Sequence, residues 1–218
     1  MIIFAVIIMS NFGSTENTAR MKLAAADDCP KVYLTFDDGP SDRVTPRILD
    51  TLEREQVKAT FFIVGRSAES RRYIIEREHG DGHSVAPHSY THDYKRIYAS
   101  PAALLADIEK CNRLIEHITG RRSNIYRFPG GSFGLSEQLV SAVTEAGYRY
   151  VDWNASCGDA DATGQSPERI LKNAKSTSAD RKTVVLLCHD STDKSATADA
   201  LSGIIAYYKQ EGFEFCAF

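Results

Sequence analysis

From residue 31 onward, short β-rich runs alternate with stretches of helical periodicity, and this alternation restricts the possible folds severely. The strand candidates are 32–36, 58–64 ("KATFFIV"), 83–88, 124–128 ("NIYRF"), 148–154 ("YRYVDWN"), 183–189 ("TVVLLCH") and 213–217. Helical stretches with start and stop signals lie between them. Ser100 and Pro101 read as an N-cap and a first-turn proline, and Leu104, Leu105, Ile108, Cys111, Ile115 and Ile118 trace one face until Gly120. Ser136 opens a second helix that carries Leu139, Val140, Val143 and Ala146 on one face and stops at Gly147. Ser166-Pro167 starts a third. Seven strands separated by helices pair in parallel through crossovers, which makes the chain a single-domain α/β protein. Such units close as an irregular barrel or stay open as a doubly wound sheet, and the pattern does not choose between them.

In either architecture ligands gather at the carboxyl ends of the strands. The chemically loaded residues fall there. Asp37 and Asp38 follow the first strand in "VYLTFDDGPSD", and His88 closes the third. Arg127 ends the fourth, Asp152 and Asp159 lie in or after the fifth, and His189 closes the sixth. Adjacent carboxylates repel unless a metal, a proton or an arginine relieves them; alone, the pair is equally a solvated turn. In "HSYTH", His88 and His92 present two imidazoles on one side of a helical turn, and with Asp38 they make a three-ligand catalytic metal site. The glycines of "YRFPGG" let backbone N–H groups approach a developing oxyanion, and Arg127 can hold a neighbouring carboxylate. His189 is either a core histidine or a general acid, the latter needing Asp159 or Asp152 as partner.

A net charge of −3 and the lack of a basic block exclude nucleic acid as a main partner. The five cysteines are scattered without C-x-x-C spacing, which argues against a disulfide framework or a thiolate zinc site. Residues 2–9, "IIFAVIIM", are too short to span a bilayer and resemble the apolar core of an export signal. Residues 1–26 therefore read as a signal-like or anchor-like segment, the one route to membrane association, and 31–218 as the catalytic domain, placed outside the cytoplasm.

"TFDDGP", "HSYTH", "RFPGG", "DWNASCGDA" and "LLCHD" resemble, in order and spacing, the five motifs of the NodB-homology polysaccharide deacetylases, carbohydrate esterase family 4. The resemblance covers residues 31–218. It implies a distorted (β/α) barrel of about seven parallel strands and a metal-dependent hydrolysis of acetyl groups on a polysaccharide such as peptidoglycan. Position by position, it makes Asp37 the catalytic base and Asp38, His88 and His92 the ligands of Zn2+ or a similar ion such as Co2+. Arg127 becomes the residue that orients the base and His189 the catalytic acid. Asp159 becomes the tether of that acid, with Asp152 the competing alignment. Leu187 lines the acetyl-methyl pocket, and Gly130 supplies the oxyanion N–H. The third motif departs from the usual R-P-P-Y-G at Phe128 and Gly130, which removes a side-chain wall from the groove. The expected activity is N-deacetylation of N-acetylglucosamine-type residues. O-deacetylation of xylan and a silent carbohydrate-binding relative are the rivals.

Overall fold

The computed structural model describes residues 29–218 except Thr163, so the signal-like segment 1–26 lies outside the described residues. Strand β1 (Lys31–Asp37) is central. Along one edge it pairs in parallel with β7 (Thr183–His189) over its full length, from Lys31 opposite Thr183 to Asp37 opposite His189. Its other edge is shared. The first half pairs with β8 (Glu214–Cys216) and the second half with β2 (Thr60–Val64). Beyond β2 lies β3 (Ser84–Ser89), and beyond β7 lies a short β6 (Ala155–Ser156). Every pair is parallel, as strand–helix alternation requires.

The strands bury two faces. Val32, Leu34 and Phe36 of β1 are fully buried and pack in one cluster with Ile48, Leu49 and Leu52 of α1 (Thr45–Glu55). The same cluster takes in Ile170 of α7 (Pro167–Ser178) and Leu201, Ile204 and Ile205 of α8 (Ser195–Gln210). Each such side chain withdrawn from water contributes about 1.5–3 kcal/mol. On the opposite face Phe62, Ala86, Ile125, Val151 and Val185 form a separate interior cluster. Two buried faces explain why β2 is buried throughout instead of alternating. The shorter helices α2 (Gly65–Ala68), α3 (Arg72–Gly80) and α4 (Tyr94–Ile97) fill the first half of the chain.

Two of the expected helix starts are capped as the sequence indicates. Ser100 Oγ accepts from Ala103 N at 3.1 Å ahead of α5 (Pro101–Thr119), and Gly120 closes that helix with φ +74°. Ser166 does the same for α7. Ser136 precedes α6 (Glu137–Glu145) without a side-chain cap. All five cysteines are free thiols.

Two strands are shorter than expected. The run 124–128 yields only β4 (Ile125–Tyr126), and 148–154 only β5 (Arg149–Tyr150); the two pair with each other. The cause is side-chain competition with the ladder. Asp152 turns away to accept from Ser132 N at 2.9 Å and Ser132 Oγ at 2.5 Å. Asn154 then imitates a strand backbone against β7, accepting from Val185 N at 2.8 Å and donating to Thr183 O at 2.9 Å. Among the described residues no ladder joins β4 to β3 or β5 to β6. Single bonds bridge the gap instead: Arg127 N, just past β4, donates to Pro87 O of β3 at 3.4 Å, and Asn154 N, between β5 and β6, donates to Val185 O of β7 at 3.2 Å. The result is a distorted barrel with parallel strands and their carboxyl ends on one rim.

Candidate active site

At the end of β1 the chain turns through Asp38, whose φ of +75° is a left-handed conformation that aspartate tolerates. Gly39 follows where no other residue fits: a Cβ there would lie 2.1 Å from Asp190 Oδ2. Asp190, fully buried just past β7, binds this loop at several points. Its Oδ2 accepts from Thr45 Oγ1 at 2.6 Å and its carbonyl from Ser41 Oγ at 2.6 Å, while its N–H donates to Asp37 O at 3.1 Å. Burial, with the nearby charges of Asp38 and Asp37, pushes its carboxyl up to about 7. Within "LLCHD" nothing local marks Asp190 for this role.

His88 lies in β3 and His92 beyond it, but the segment between them is not the helical turn expected from their spacing. It is an irregular turn gathered by one carboxylate of α5. Asp107 accepts from Ser89 Oγ at 2.5 Å, Tyr90 N at 2.6 Å, Thr91 N at 3.1 Å and Thr91 Oγ1 at 2.8 Å. Ser89 Oγ in turn accepts from His92 N at 2.8 Å, and His92 takes φ +54°. The two rings end 5.3 Å apart. Asp107 carries no local motif that marks it.

These residues form a cluster with Asp38. One ligand atom from each of Asp38, His88 and His92 lies within 4.8 Å of the others. Nε2 of His92 and of His88 stand 3.1 and 3.5 Å from Asp38 Oδ1. That oxygen is buried, yet neither approach has the alignment of a hydrogen bond. His88 Nδ1 lies 2.9 Å from the carbonyl of Arg127, so Nδ1 carries the proton and Nε2 presents its lone pair to the cluster. Burial lowers the pKa of His88, keeping the ring neutral. For Asp38 burial works upward, but the imidazoles of His92 and His88 outweigh it and hold the carboxyl well below the usual range. A buried, unsatisfied carboxylate oxygen facing two imidazole nitrogens fits a divalent cation with zinc-like preferences.

Arg127 is fully buried and fully engaged. Nε donates to Val151 O at 2.9 Å, Nη1 to Thr35 Oγ1 at 2.7 Å and Asp37 Oδ1 at 2.9 Å, and Nη2 to Asp152 O at 3.4 Å. Its guanidinium lies over the Phe62 ring at 4.2 Å. Thr35, inside a strand, has no sequence signal for this contact. The guanidinium binds one oxygen of Asp37; the other faces His88 Nε2 at 3.9 Å.

Across the rim, His189 Nδ1 lies 2.8 Å from Asp159 Oδ1, and its backbone N–H donates to Asp159 Oδ2 at 2.8 Å. Thr197 Oγ1 donates to the same Oδ2 at 2.8 Å. Burial alone would lower the imidazole pKa. The Asp159 bond, with the charges of Asp159, Asp37 and Asp38, reverses this and raises it from 6.5 to about 9. Asp152, engaged by Ser132, holds the loop after Arg127 instead. It lies beyond the end of β5, outside any strand. Leu187 lies two residues before His189 on β7, on the same face and opposite Thr35. Gly130 has φ +77°, and the N–H of its neighbour Gly131 is taken by Phe128 O at 2.8 Å.

Residues 24–151 match a family described as "Polysaccharide deacetylase". The chain is 33% identical over 196 residues to a peptidoglycan-N-acetylglucosamine deacetylase of Bacillus cereus, spanning 85% of this chain and 68% of that protein. The crystal structure of the catalytic domain of peptidoglycan N-acetylglucosamine deacetylase from Eubacterium rectale is similar at TM-score 0.83 and 34% identity, over 93% of this chain and 94% of that one. A Streptococcus mutans CE4 esterase is similar at TM-score 0.81 and 29% identity, over 87% of this chain and 86% of that one.

Proposed function

The chain belongs to the polysaccharide deacetylase family, and from that membership we propose that it hydrolyses the N-acetyl group of N-acetylglucosamine-type residues in peptidoglycan or a related polysaccharide. The observation that carries the mechanism is the pairing of two held groups on adjacent strands: Asp37, gripped by Arg127, and His189, gripped by Asp159. Beside Asp37 stands the cluster of Asp38, His88 and His92, the residues that would hold the cation. A divalent ion such as zinc or cobalt supplies, when bound, polarisation of the acetyl carbonyl and acidification of water.

The chain's own groups do the proton work. Asp37 accepts a proton from the attacking water through the oxygen that Arg127 does not bind. The N–H of Gly130 donates to the oxyanion that develops on the acetyl carbonyl, a donor of the kind whose loss costs about 3–4 kcal/mol. Leu187 bounds the acetyl methyl. As the C–N bond breaks, protonated His189 gives its proton to the leaving amine, and acetate and a free amino sugar result. The raised pKa of His189 keeps that proton in place at neutral pH. In this reading residues 31–218 are the deacetylase domain, residues 1–26 are an export signal or anchor, and the enzyme works outside the cytoplasm on the wall polymer.

The likeness to an esterase of the same group favours O-deacetylation as the second reading. Release of free amine and of acetate is to be measured side by side on N-acetylglucosamine oligomers and on acetylated xylan. Amine release equal to acetate release on the first substrate supports the proposal. Acetate release confined to xylan sinks it, and no release from either favours a silent binding protein.

A further inference from the structure

An amide carbonyl that becomes a tetrahedral oxyanion accepts hydrogen bonds from more than one direction, and sites built for it supply more than one donor. The Gly130 N–H has no acceptor among the described residues, so it is free to serve as one. The space beside it is not empty. A Cβ on Gly130 would meet Tyr94 Cε1 at 3.1 Å and Tyr94 Oη at 3.2 Å. A phenol from α4 therefore occupies the volume that a side chain at 130 would fill. A Cβ lies about 2.5 Å from its own backbone nitrogen, which puts Tyr94 Oη within about 5.7 Å of Gly130 N. Two donors that each bond one oxygen at about 2.9 Å can stand up to about 5.8 Å apart.

Local structure holds the phenol there. Asp93 Oδ1 accepts from Arg96 N at 3.3 Å and starts the short turn of α4, directly after His92. The Tyr94 ring meets His92 edge to face at 5.4 Å and Tyr98 edge to face at 5.8 Å. Tyr98 spends its hydroxyl on the loop after Arg127, donating to Pro129 O at 2.7 Å. The Tyr94 hydroxyl has no partner among the described residues, and the residue is 46% exposed. Two tyrosines four residues apart thus divide the work. Tyr98 fixes the loop, and Tyr94 presents an unspent donor where that loop offers its N–H.

We propose that Tyr94 is a catalytic residue whose hydroxyl donates, beside the Gly130 N–H, to the acetyl oxygen as negative charge develops on it. Resting on the deacetylase reading, this gives the oxyanion a side-chain donor as well as a backbone one. The phenol lends a hydrogen bond and keeps its proton, so proton transfer stays with Asp37 and His189. The same ring limits residue 130. A side chain there would press on Tyr94 and displace its hydroxyl.

The test is steady-state kinetics of the zinc-loaded, full-length wild type, Tyr94→Phe and Tyr94→Ala on the β-1,4-linked N-acetylglucosamine tetramer. Tyr94→Phe keeps the ring and removes the donor. It should lower kcat and kcat/KM together by about 10–100-fold with KM unchanged, the signature of a bond made only in the transition state. Acetate, the product whose oxygen can take the same donor, should inhibit this variant about tenfold more weakly. Zinc affinity by calorimetry should hold, because the ring against His92 remains. An unchanged kcat in Tyr94→Phe overturns the assignment, and a loss seen only in Tyr94→Ala makes the ring a wall instead. A kcat loss matched by a loss of zinc affinity also overturns it. In each case deacetylation by the wild type leaves the broader reading intact. A wild type that releases neither amine nor acetate overturns both.

Discussion

Asp37 and His189 stand directly opposite each other in the parallel register of β1 and β7. Their side chains share a face, and each is held by a different partner, Arg127 on one side and Asp159 on the other. A base and an acid are thereby fixed at the same height on the rim, with Asp38 following the base in the chain. Several outcomes follow from who holds whom.

The adjacent aspartates should separate cleanly. Asp37→Asn should retain metal and lose turnover by about 10²–10⁴-fold, because an amide cannot take the water's proton. Asp38→Asn should lose metal first, since Asp38 faces both imidazoles. Metal content and single-turnover rates, measured on both proteins, check the division. Equal metal loss in the two variants would refute it.

For His189 the sign runs in one direction. Its folded pKa of about 9 lies above the ordinary 6.5. The imidazolium therefore stabilises the fold fully below about pH 6.5, and this contribution is lost as pH rises through about 9. In Asp159→Asn burial is no longer outweighed, so the pKa should fall. NMR titration of the metal-free protein reads this directly. The stability gap between wild type and variant should narrow as pH climbs past about 9, and the alkaline limb of kcat/KM should move to lower pH. An unmoved limb in Asp159→Asn, with a moved one in Asp152→Asn, would transfer the tether to Asp152.

Removing Arg127 should be expensive for stability as well as activity. Arg127→Met leaves Asp37, which is 3% exposed, without its cation, and truncating one partner of a buried pair costs about 3–5 kcal/mol. Adding Asp37→Asn to that variant should recover part of the loss. Urea unfolding of the wild type, the two single variants and the double variant tests this; independent, additive effects would show that the pair is not coupled.

Asp107 bonds to Ser89, Tyr90 and Thr91 and so gathers the turn that delivers His92. An amide at this position would point an NH2 group at backbone N–H donors. Asp107→Asn should lower metal affinity by about 10–100-fold, the range seen when outer partners of ligands are removed. Calorimetric zinc titration is the check, and an unaltered affinity would leave the turn self-sufficient.

The amino-acid sequence by itself determined the class of fold and the place of its chemistry. Strand and helix periods, proline and serine at helix starts, and glycines at helix ends are local signals, each legible within a few residues. Because β1, β3 and β7 are marked by such signals, Asp37, His88 and His189 were assignable to strand ends without coordinates. What followed from contacts between distant residues was not legible. The sheet splits into two ladders because Asn154 and Asp152 spend their side chains on β7 and on Ser132. His92 leaves the helical geometry that its spacing from His88 suggested because Asp107, on another element, binds the intervening turn. The approach of Asp159 to His189 spans 30 residues, and that of Arg127 to Asp37 spans 90. Thr35 and Asp190 complete those arrangements from positions where a threonine or an aspartate is otherwise ordinary. A hydrogen bond between elements leaves no period in the chain, so only the folded arrangement decides which carboxylate meets which cation.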